Sequence, residues 1–565
     1  MTTNRANIPS TAFDNLFAAD PTGAALFESW IGPARFSTVR DHFVAMGEAG
    51  GLATPLSARA DRQAPVLLTH DAGGERVDRV VQHPDYHELE RLSYGRGIVA
   101  VKYRPRFLGA DRDIRHLVGF GAGHYFAQTE MGLYCPICMT DGVGRVLERF
   151  AAGDPVARET LAHLAATDAA ELWQGAMFLT ERQGGSDVGA NTVIARQEGG
   201  RWLLDGDKWF CSNVAADAIL ALARMPGGPE GTKGLGMFLV LRRRPPANGA
   251  TIRVHRLKDK LGVRSMPTGE VTFERTEAHL IGGIGHGFKQ MTEMLNLSRL
   301  YNAVASVAAA RRAVLEAHAY GSERRAFGSR LVELPLWRAA MADLVAEQLG
   351  AFLVAFEAVR ALDRADCGDE GSRRLARLAV PVAKALTSKL AIFAVSEAME
   401  AIGGNAYVEE SILPRLLRDC QVLPIWEGTT HVLTLDAMRA VRKEAAHEAL
   451  AARIRGAFEH AAGGSARLDL AAARSKEAAE LLAAASRLES ELQARAARGW
   501  LERAGRALEL ALLLENACHE PLREVCLAAF DRLAAREFGV MPVGVGDPTR
   551  LRPSEAALLD SVRPA

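Results

Sequence analysis

The chain has 565 residues, with 68 basic and 68 acidic side chains and 48% hydrophobic residues. That length exceeds what one core organises, so two to four domains are expected, and the balanced charge excludes a whole-molecule field steering the protein to nucleic acid or to an anionic membrane. No apolar stretch reads as long and charge-free enough to span a bilayer, the segment Met1–Phe13 is polar without a signal-peptide core, and seven cysteines make no disulfide framework, so a cytoplasmic, reducing setting is expected.

Residues 1–175 read mainly as helices, with helical spacing clear in Ala157–Leu172 and loops such as Asp61–Arg76 between them. Near Gly175 the texture changes. Short apolar runs (Trp202–Leu204, Ala218–Ala223, Met237–Leu241, Thr251–Val254, Glu270–Phe273) alternate with turns such as Asp205–Gly206, Gly199–Gly200 and Gly227–Gly228, so residues 176–286 are expected to form a β-barrel-like domain. From Gly287 the helical period returns, with joints near Gly321, Asp363–Gly371 and Gly403–Gly404, giving a helical bundle over residues 287–441. Residues 442–565 form an extra Ala-rich helical region in which Leu488, Leu492, Ala496, Trp500, Ala504 and Leu508 recur every fourth residue as a packing stripe. The fold class is therefore α+β and multidomain.

Three segments carry the chemistry. Ala176–Asp187 (AMFLTERQGGSD) is an apolar strand running through Thr180 into a Gly184–Gly185–Ser186 turn, where glycines free the backbone to approach a ligand and the two hydroxyls offer hydrogen bonds. Lys208–Asn213 (KWFCSN) is an aromatic strand; strict alternation sends one of Trp209 and Phe210 to the core and leaves the other to cover a flat ring. Pro424–Val432 (PIWEGTTHV) places Glu427 after an apolar run, where partial desolvation suits a general base, with Gly428 allowing close approach and Thr429 or Thr430 capping a helix from His431. Taken singly, these segments also read as a turn, an aromatic strand and a helix start. The loops GFGAG (119–123) and GIGHG (283–287) lack the full dinucleotide-binding fingerprint, and Cys135 and Cys138 have no second ligand pair at metal spacing.

Taken together, the order and spacing of these segments resemble the acyl-CoA dehydrogenase family, whose fold is a helical domain, a β-domain and a four-helix bundle. The resemblance implies FAD. Met177, Leu179, Thr180 and Ser186 would line one side of the isoalloxazine, Phe210 would stack on it, and Cys211 and Ser212 would bind beside it, with Ser212 at N5. It further implies a homotetramer in which Arg324 reaches a neighbouring pyrophosphate and Gly403 and Gly404 approach the same cofactor. Trp426, Thr429, Thr430 and His431 would flank the flavin, and Ser186, Arg299 and Gly428 would meet substrate. Glu427 matches the catalytic base of most members, whereas Ser298 stands where other branches carry theirs. The implied reaction is α,β-desaturation of an acyl-CoA thioester, with hydride passing to flavin N5 and electrons to an electron-transfer flavoprotein or another acceptor.

Phe210 for the usual tryptophan, Pro335 and Glu400 for the usual glutamines, HPDYH at 83–87, LKDKLG at 257–262 and the C-terminal extension resemble the AidB-like branch, associated with the response to DNA alkylation. That branch implies an alternative, protection of DNA with little turnover. Residues 441–565 carry eighteen basic and eighteen acidic side chains, so net charge does not support DNA binding, although Arg495–Arg506 could form a local basic face.

Overall fold

A computed structural model describes residues 11–242, 251–462, 464–485, 487–488, 490–538 and 548–563. Most of the polar Met1–Phe13 stretch and residues 539–547 of the C-terminal region lie outside them. In chain order, helices α1 (Pro21–Ile31) and α2 (Pro33–Arg62) precede a hairpin of β1 (Val66–His70) and β2 (Arg76–Val81). Helices α3 (Pro84–Ser93), α4 (Ala100–Tyr103), α5 (Arg115–Ala127), α6 (Tyr134–Phe150) and α7 (Pro155–Leu164) follow. The chain then forms β3 (Gly175–Phe178), β4 (Ile194–Glu198), β5 (Arg201–Ser212), β6 (Ala218–Arg224), β7 (Leu235–Leu241), β8 (Thr251–Leu257) and β9 (Thr268–Ile281). Helix α8 (Gly287–Glu323), a small hairpin of β10 (Arg325–Ala326) and β11 (Ser329–Arg330), α9 (Pro335–Asp366), α10 (Glu370–Ile402), α11 (Leu413–Cys420) and α12 (Thr430–Glu444) come next. The C-terminal region contributes α13 (Ala446–Glu459), α14 (Ser465–Ala485), α15 (Ser490–Asn516), α16 (Arg523–Phe538) and α17 (Pro548–Asp560).

These elements divide into two compact units, neither of them one continuous segment. The first comprises residues 53–107 and 130–301; the second comprises residues 1–52, 108–129 and 302–565.

The first unit is built on a seven-stranded sheet in the order β3-β6-β4-β5-β9-β7, with β8 paired to β9 and β6 paired to β7 as well. β6 and β7 are almost wholly buried, as expected of continuous apolar strands, while β5 and β9 mix buried with half-buried and exposed positions. The β1–β2 hairpin is a correction, since Asp61–Arg76 was expected to be a loop. The alternating VLLTH and RVDRVV segments pair across the Asp71–Gly74 turn. The hairpin is fixed to β8 by Arg76, which donates to the Val254 carbonyl, and by Asp78, which accepts the Val254 amide.

In the second unit α9 and α10 are the central helices, and they correct a second expectation. Both are long and apolar enough to cross a membrane by length and composition, yet 83% and 72% of their most apolar windows are buried inside the protein. Their apolarity is that of a bundle core, with Phe352 and Phe356 of α9 packed on Phe27 and Trp30 of α1. GFGAG lies inside buried α5, far from any phosphate-binding turn. The expected stripe holds only towards its end: Leu488, just before α15, and Leu492 are exposed, whereas Ala504 and Leu508 are buried, continued backwards by Ala497 and Leu501 in place of Ala496 and Trp500. A strict four-residue repeat drifts around a helix of 3.6 residues per turn, so it cannot stay on one face.

The extension is fastened to the bundle by charge. Glu357 of α9, almost wholly buried, pairs with Arg360 and Arg364 of its own helix and with Arg453 of α13, which also pairs with Glu515 of α15. Burial alone would push the Glu357 carboxyl up; the guanidinium groups, Arg360 and Arg453 foremost, outweigh it and hold it well below the usual carboxylate range. Glu357→Ala should therefore destabilise the protein by about 3–5 kcal/mol at neutral pH, the cost of stripping one partner from a buried ion pair. A depressed folded-state value means this contribution is present above the ordinary carboxylate value and is lost as pH falls through the folded one. Urea unfolding at pH 7 and at pH 3 should thus find the gap between wild type and variant narrower in acid.

Candidate functional site

The candidate residues fall on both units. In the first, β3 delivers Met177 half-buried and Phe178 to the core; Leu179 and Thr180 continue the strand direction, with the Thr180 carbonyl accepting the Trp209 amide at 2.9 Å. The chain then turns at Glu181–Gly184, where Gly184 takes φ 125°. A Cβ on Gly185 would meet the Thr180 hydroxyl at 2.6 Å, so this glycine is required for the turn to fold back on its own strand. Ser186 is exposed beyond it.

Beneath this turn lies a buried ion pair that sequence reasoning missed. Lys208 Nζ is 2.8 Å from Glu181 Oε1 and also donates to the Leu222 carbonyl, while Glu181 accepts from the Thr192 amide and hydroxyl and from the Val193 amide. Burial pushes the Glu181 carboxyl up, but Lys208 and Thr192 outweigh it and hold it below its ordinary value; burial pulls the Lys208 ammonium down. The pair ties β5 to the β3 end of the turn. Its signal in the sequence was a lysine on the core side of an apolar strand.

The aromatic strand departs from strict alternation. Lys208 pairs with Val271 and Cys211 with Gly269, so Trp209 and Phe210 together face one residue of β9, which is a β-bulge. Neither aromatic joins the core, correcting the expectation that one would. Trp209 is flanked by cations, with Lys258 3.5 Å and Arg182 5.0 Å from its ring centre. Phe210 is 55% exposed, with Lys258 4.6 Å from its ring centre. The Cys211 side chain, expected beside the cofactor, is instead closed in the β-core, where burial pushes its thiol up, so it has only backbone to offer a ligand. Ser212 stands half-buried near Thr268, 3.5 Å between hydroxyls. Arg299, buried on α8, donates to Asn296 at 3.1 Å, next to buried Ser298.

In the second unit, the segment 421–429 presents the base candidate. Glu427 has φ 58° and Gly428 φ 102°, two successive residues in left-handed backbone. For glutamate that conformation costs about 1–2 kcal/mol, and such strain persists only where surrounding structure enforces it. The enforcement is visible. Asn302 of α8 donates to the Leu423 carbonyl at 2.9 Å, and buried Lys384 of α10 donates to the Gly428 carbonyl at 2.7 Å. Trp426, Thr429 and Thr430 are half-buried and His431 is exposed. The helix begins at Thr430, one residue earlier than expected, and Thr429 occupies the capping position without making a side-chain cap, correcting the capping role read for it.

At the other end of the bundle Arg324 follows the last turn of α8, and Gly403, at φ 84°, ends α10. Asn405 joins the two by donating to the Tyr320 hydroxyl at 2.7 Å, so Arg324 and Gly403–Gly404 share one exposed corner. A Cβ on Gly404 would meet nothing within 4 Å. Phe327, Leu336 and Tyr407 around this corner are 97%, 88% and 81% exposed.

The stretch 176–276 matches the acyl-CoA dehydrogenase middle domain, 285–442 the acyl-CoA dehydrogenase C-terminal domain, and 7–168 the adaptive response protein AidB N-terminal domain. The AidB protein of Escherichia coli is 35% identical over 419 residues, spanning 72% of this chain and 74% of that one. The chain belongs to the acyl-CoA dehydrogenase family. Within it, it is AidB-like. Acyl-CoA dehydrogenase family member 11 of Caenorhabditis elegans is 34% identical over 394 residues, and the match covers 68% of this chain but only 63% of the nematode protein. The crystal structure of C. elegans ACDH-11 in complex with C11-CoA is similar at a TM-score of 0.88 and 28% identity, covering 96% of this chain and 93% of that one.

Glu181→Gln keeps shape but turns one of two accepting oxygens into a donor and leaves Lys208 buried without this counter-charge, and it should cost about 3 kcal/mol. Thermal unfolding of the variant beside Glu181→Asp, which keeps the charge, would check it; equal stability of Glu181→Gln and wild type would remove the ion pair from this account.

Proposed function

We propose that this protein is an FAD-dependent dehydrogenase that desaturates an acyl-CoA thioester between Cα and Cβ, with Glu427 as the base. The observation that carries the reading is the strained turn at Glu427–Gly428: a carboxylate held in costly backbone, in a family whose chemistry needs a positioned base, is where function is sought first.

The residues present fit FAD. The bulge leaves the Phe210 ring exposed, with the Ser212 hydroxyl two residues on in the same strand, the Thr180 hydroxyl just past β3, and Ser186 past the Gly184–Gly185 turn. Phe210 would pack on the isoalloxazine, Met177 and Leu179 would wall it, and Thr180, Ser212 and the Cys211 backbone would hydrogen-bond its edge. When bound, FAD supplies the two-electron acceptor that takes the β-hydrogen as hydride. Glu427 accepts the α-proton at its carboxylate, its own backbone amide polarises the thioester carbonyl, and Gly428 leaves room for the thioester to approach. Ser186 and Arg299 bind the rest of the acyl-CoA. Trp426, Thr429, Thr430 and His431 close the base side. Electrons leave to an electron-transfer flavoprotein or another acceptor.

The reading includes a homotetramer. Phe327, Leu336 and Tyr407 are exposed apolar side chains around Arg324 and Gly403–Gly404, as at an interaction surface, and the open Cβ position of Gly404 suits a close approach from outside. It also includes a cytoplasmic location, supported by seven cysteines none of which forms a disulfide. The arginines expected to make a basic face are matched by acids: Arg495 with Glu491, Arg498 with Glu502, Arg503 with Glu477 and Arg506 with Glu347 and Glu509. That favours the enzyme over a DNA-binding role, which rests on surplus positive charge.

The test is anaerobic addition of acyl-CoAs of graded length to the purified flavoprotein. Bleaching of the flavin band by one length class is expected, and Glu427→Gln should slow it by about 10²–10⁴-fold, since an amide cannot take the proton; an unchanged rate would end the assignment of the base. Phe327→Asp should lower the oligomeric state seen by sedimentation and reduce flavin occupancy together. Retention of the wild-type assembly would remove this corner from the interface.

A further inference from the structure

Lys384 is a charged residue embedded in an otherwise apolar stretch of α10, AVPVAKAL, and its side chain is fully buried. Bundle cores exclude ammonium groups unless a specific partner holds them, because removing the charge from water is costly. Here Nζ donates to the carbonyl of Gly428 at 2.7 Å. Thr387 and Ser388, three and four residues on and equally buried, extend the same polar face of the helix. The carbonyl that Lys384 grips belongs to the second of the two left-handed residues, immediately after Glu427. Asn302 holds the same segment at its start through the Leu423 carbonyl. The turn is thus pinned at both ends by buried side chains from two bundle helices, and only the later pin carries charge.

We infer that Lys384 is a positioning residue for the reaction: its ammonium fixes the Glu427–Gly428 turn in left-handed backbone, and so aims the carboxylate and the Glu427 amide at the thioester. The inference rests on the reading of Glu427 as base. It extends that reading to a residue that touches neither substrate nor cofactor.

The energetics follow from backbone freedom. Without Lys384 the Gly428 carbonyl loses its buried donor, and the glycine permits the peptide plane to rotate. Glu427 can then relax towards ordinary φ values, which swings its side chain and its amide together. A base displaced by about 1 Å loses on the order of 100-fold in rate while leaving most binding contacts of a long substrate intact. A lysine that merely filled the core would, when replaced by an apolar side chain of similar length, leave the chemistry untouched.

The experiment uses the full-length flavoprotein, with Lys384→Met, Lys384→Arg and Glu427→Gln side by side. Reduction by the acyl-CoA that best bleaches the wild type is followed by stopped flow without oxygen, giving a limiting rate and a dissociation constant separately. Flavin content, thermal unfolding and flavin spectral change on binding the 2-enoyl-CoA product are read on the same preparations. Lys384→Met is expected to lower the limiting rate about 100-fold with acyl-CoA and product affinities changed less than about threefold. Lys384→Arg, which keeps a cationic donor, is expected to recover at least about tenfold of that loss. Wild-type limiting rates in Lys384→Met, or parallel losses of rate and affinity that arginine does not relieve, would overturn the positioning role. Lys384→Gln is carried in parallel because it keeps a donor without charge, so that if the methionine variant fails to hold flavin the same split is read on glutamine. A fully active Glu427→Gln would instead overturn the base itself; an inactive Glu427→Gln beside unaffected Lys384 variants would overturn the positioning role alone.

Discussion

A lysine removed from water must be satisfied by the protein around it, and each unit of this chain uses one such lysine to set a piece of backbone on which the proposed chemistry depends. In the β-domain, Lys208 meets Glu181 and the Leu222 carbonyl, locking the end of the β3 segment over β5 just before the Gly184–Gly185 turn. In the helical unit, Lys384 takes the Gly428 carbonyl. The two differ in kind. Lys208 is half of an ion pair, so its removal leaves an acid uncompensated, whereas the bond from Lys384 to the Gly428 carbonyl sets the course of a turn. Both convert a costly burial into fixed geometry, which a proton-abstracting site values above raw stability.

Much of the fold was legible because hydrophobic period is a local property. The five apolar runs after Gly175 all fall within strands, and the joints at Asp363–Gly371 and Gly403–Gly404 coincide with helix ends. What failed depended on register or on distant partners. Strict alternation cannot register the bulge that turns Trp209 and Phe210 outward together, because a bulge is defined by the partner strand. The β1–β2 hairpin alternates only over five and six residues, and its bonds to β8 through Arg76 and Asp78 involve a partner far along the chain, so it reads as a loop in the sequence. The apolarity of α9 and α10 was underestimated for the opposite reason: it is spread over long helices that carry scattered charges.

The candidate site divides the same way. Glu427, Gly428 and the Gly184–Gly185 turn were readable, since their residue types are dictated by local backbone and by chemistry. Cys211 was assigned beside the cofactor by its position in a motif, and its side chain proved to be core. Lys384 escaped notice because nothing in an isolated helix distinguishes a solvated lysine from a buried one; the distinction appears only when the loop ending in Gly428 packs against it more than forty residues later in the chain.

The C-terminal extension bears on why the helical unit can hold such strain. Strained turns survive where the surrounding structure over-determines them, and the extension adds constraint to the helices that pack near the Glu427–Gly428 turn. Glu357 on α9 gathers guanidinium groups from its own helix and from α13, and Arg506 of α15 reaches Glu347, also on α9. A Cβ on Gly505 of α15 would meet Val382 at 3.2 Å, so that helix packs closely on α10 within one turn of Lys384. Arg453 and Arg506 of the extension are engaged in these internal pairs, and equal numbers of acids make its net charge zero despite its arginines. A region for which the AidB-like resemblance implied a nucleic-acid role, and whose net charge spoke against one, packs on α9 and α10, the second of which carries Lys384.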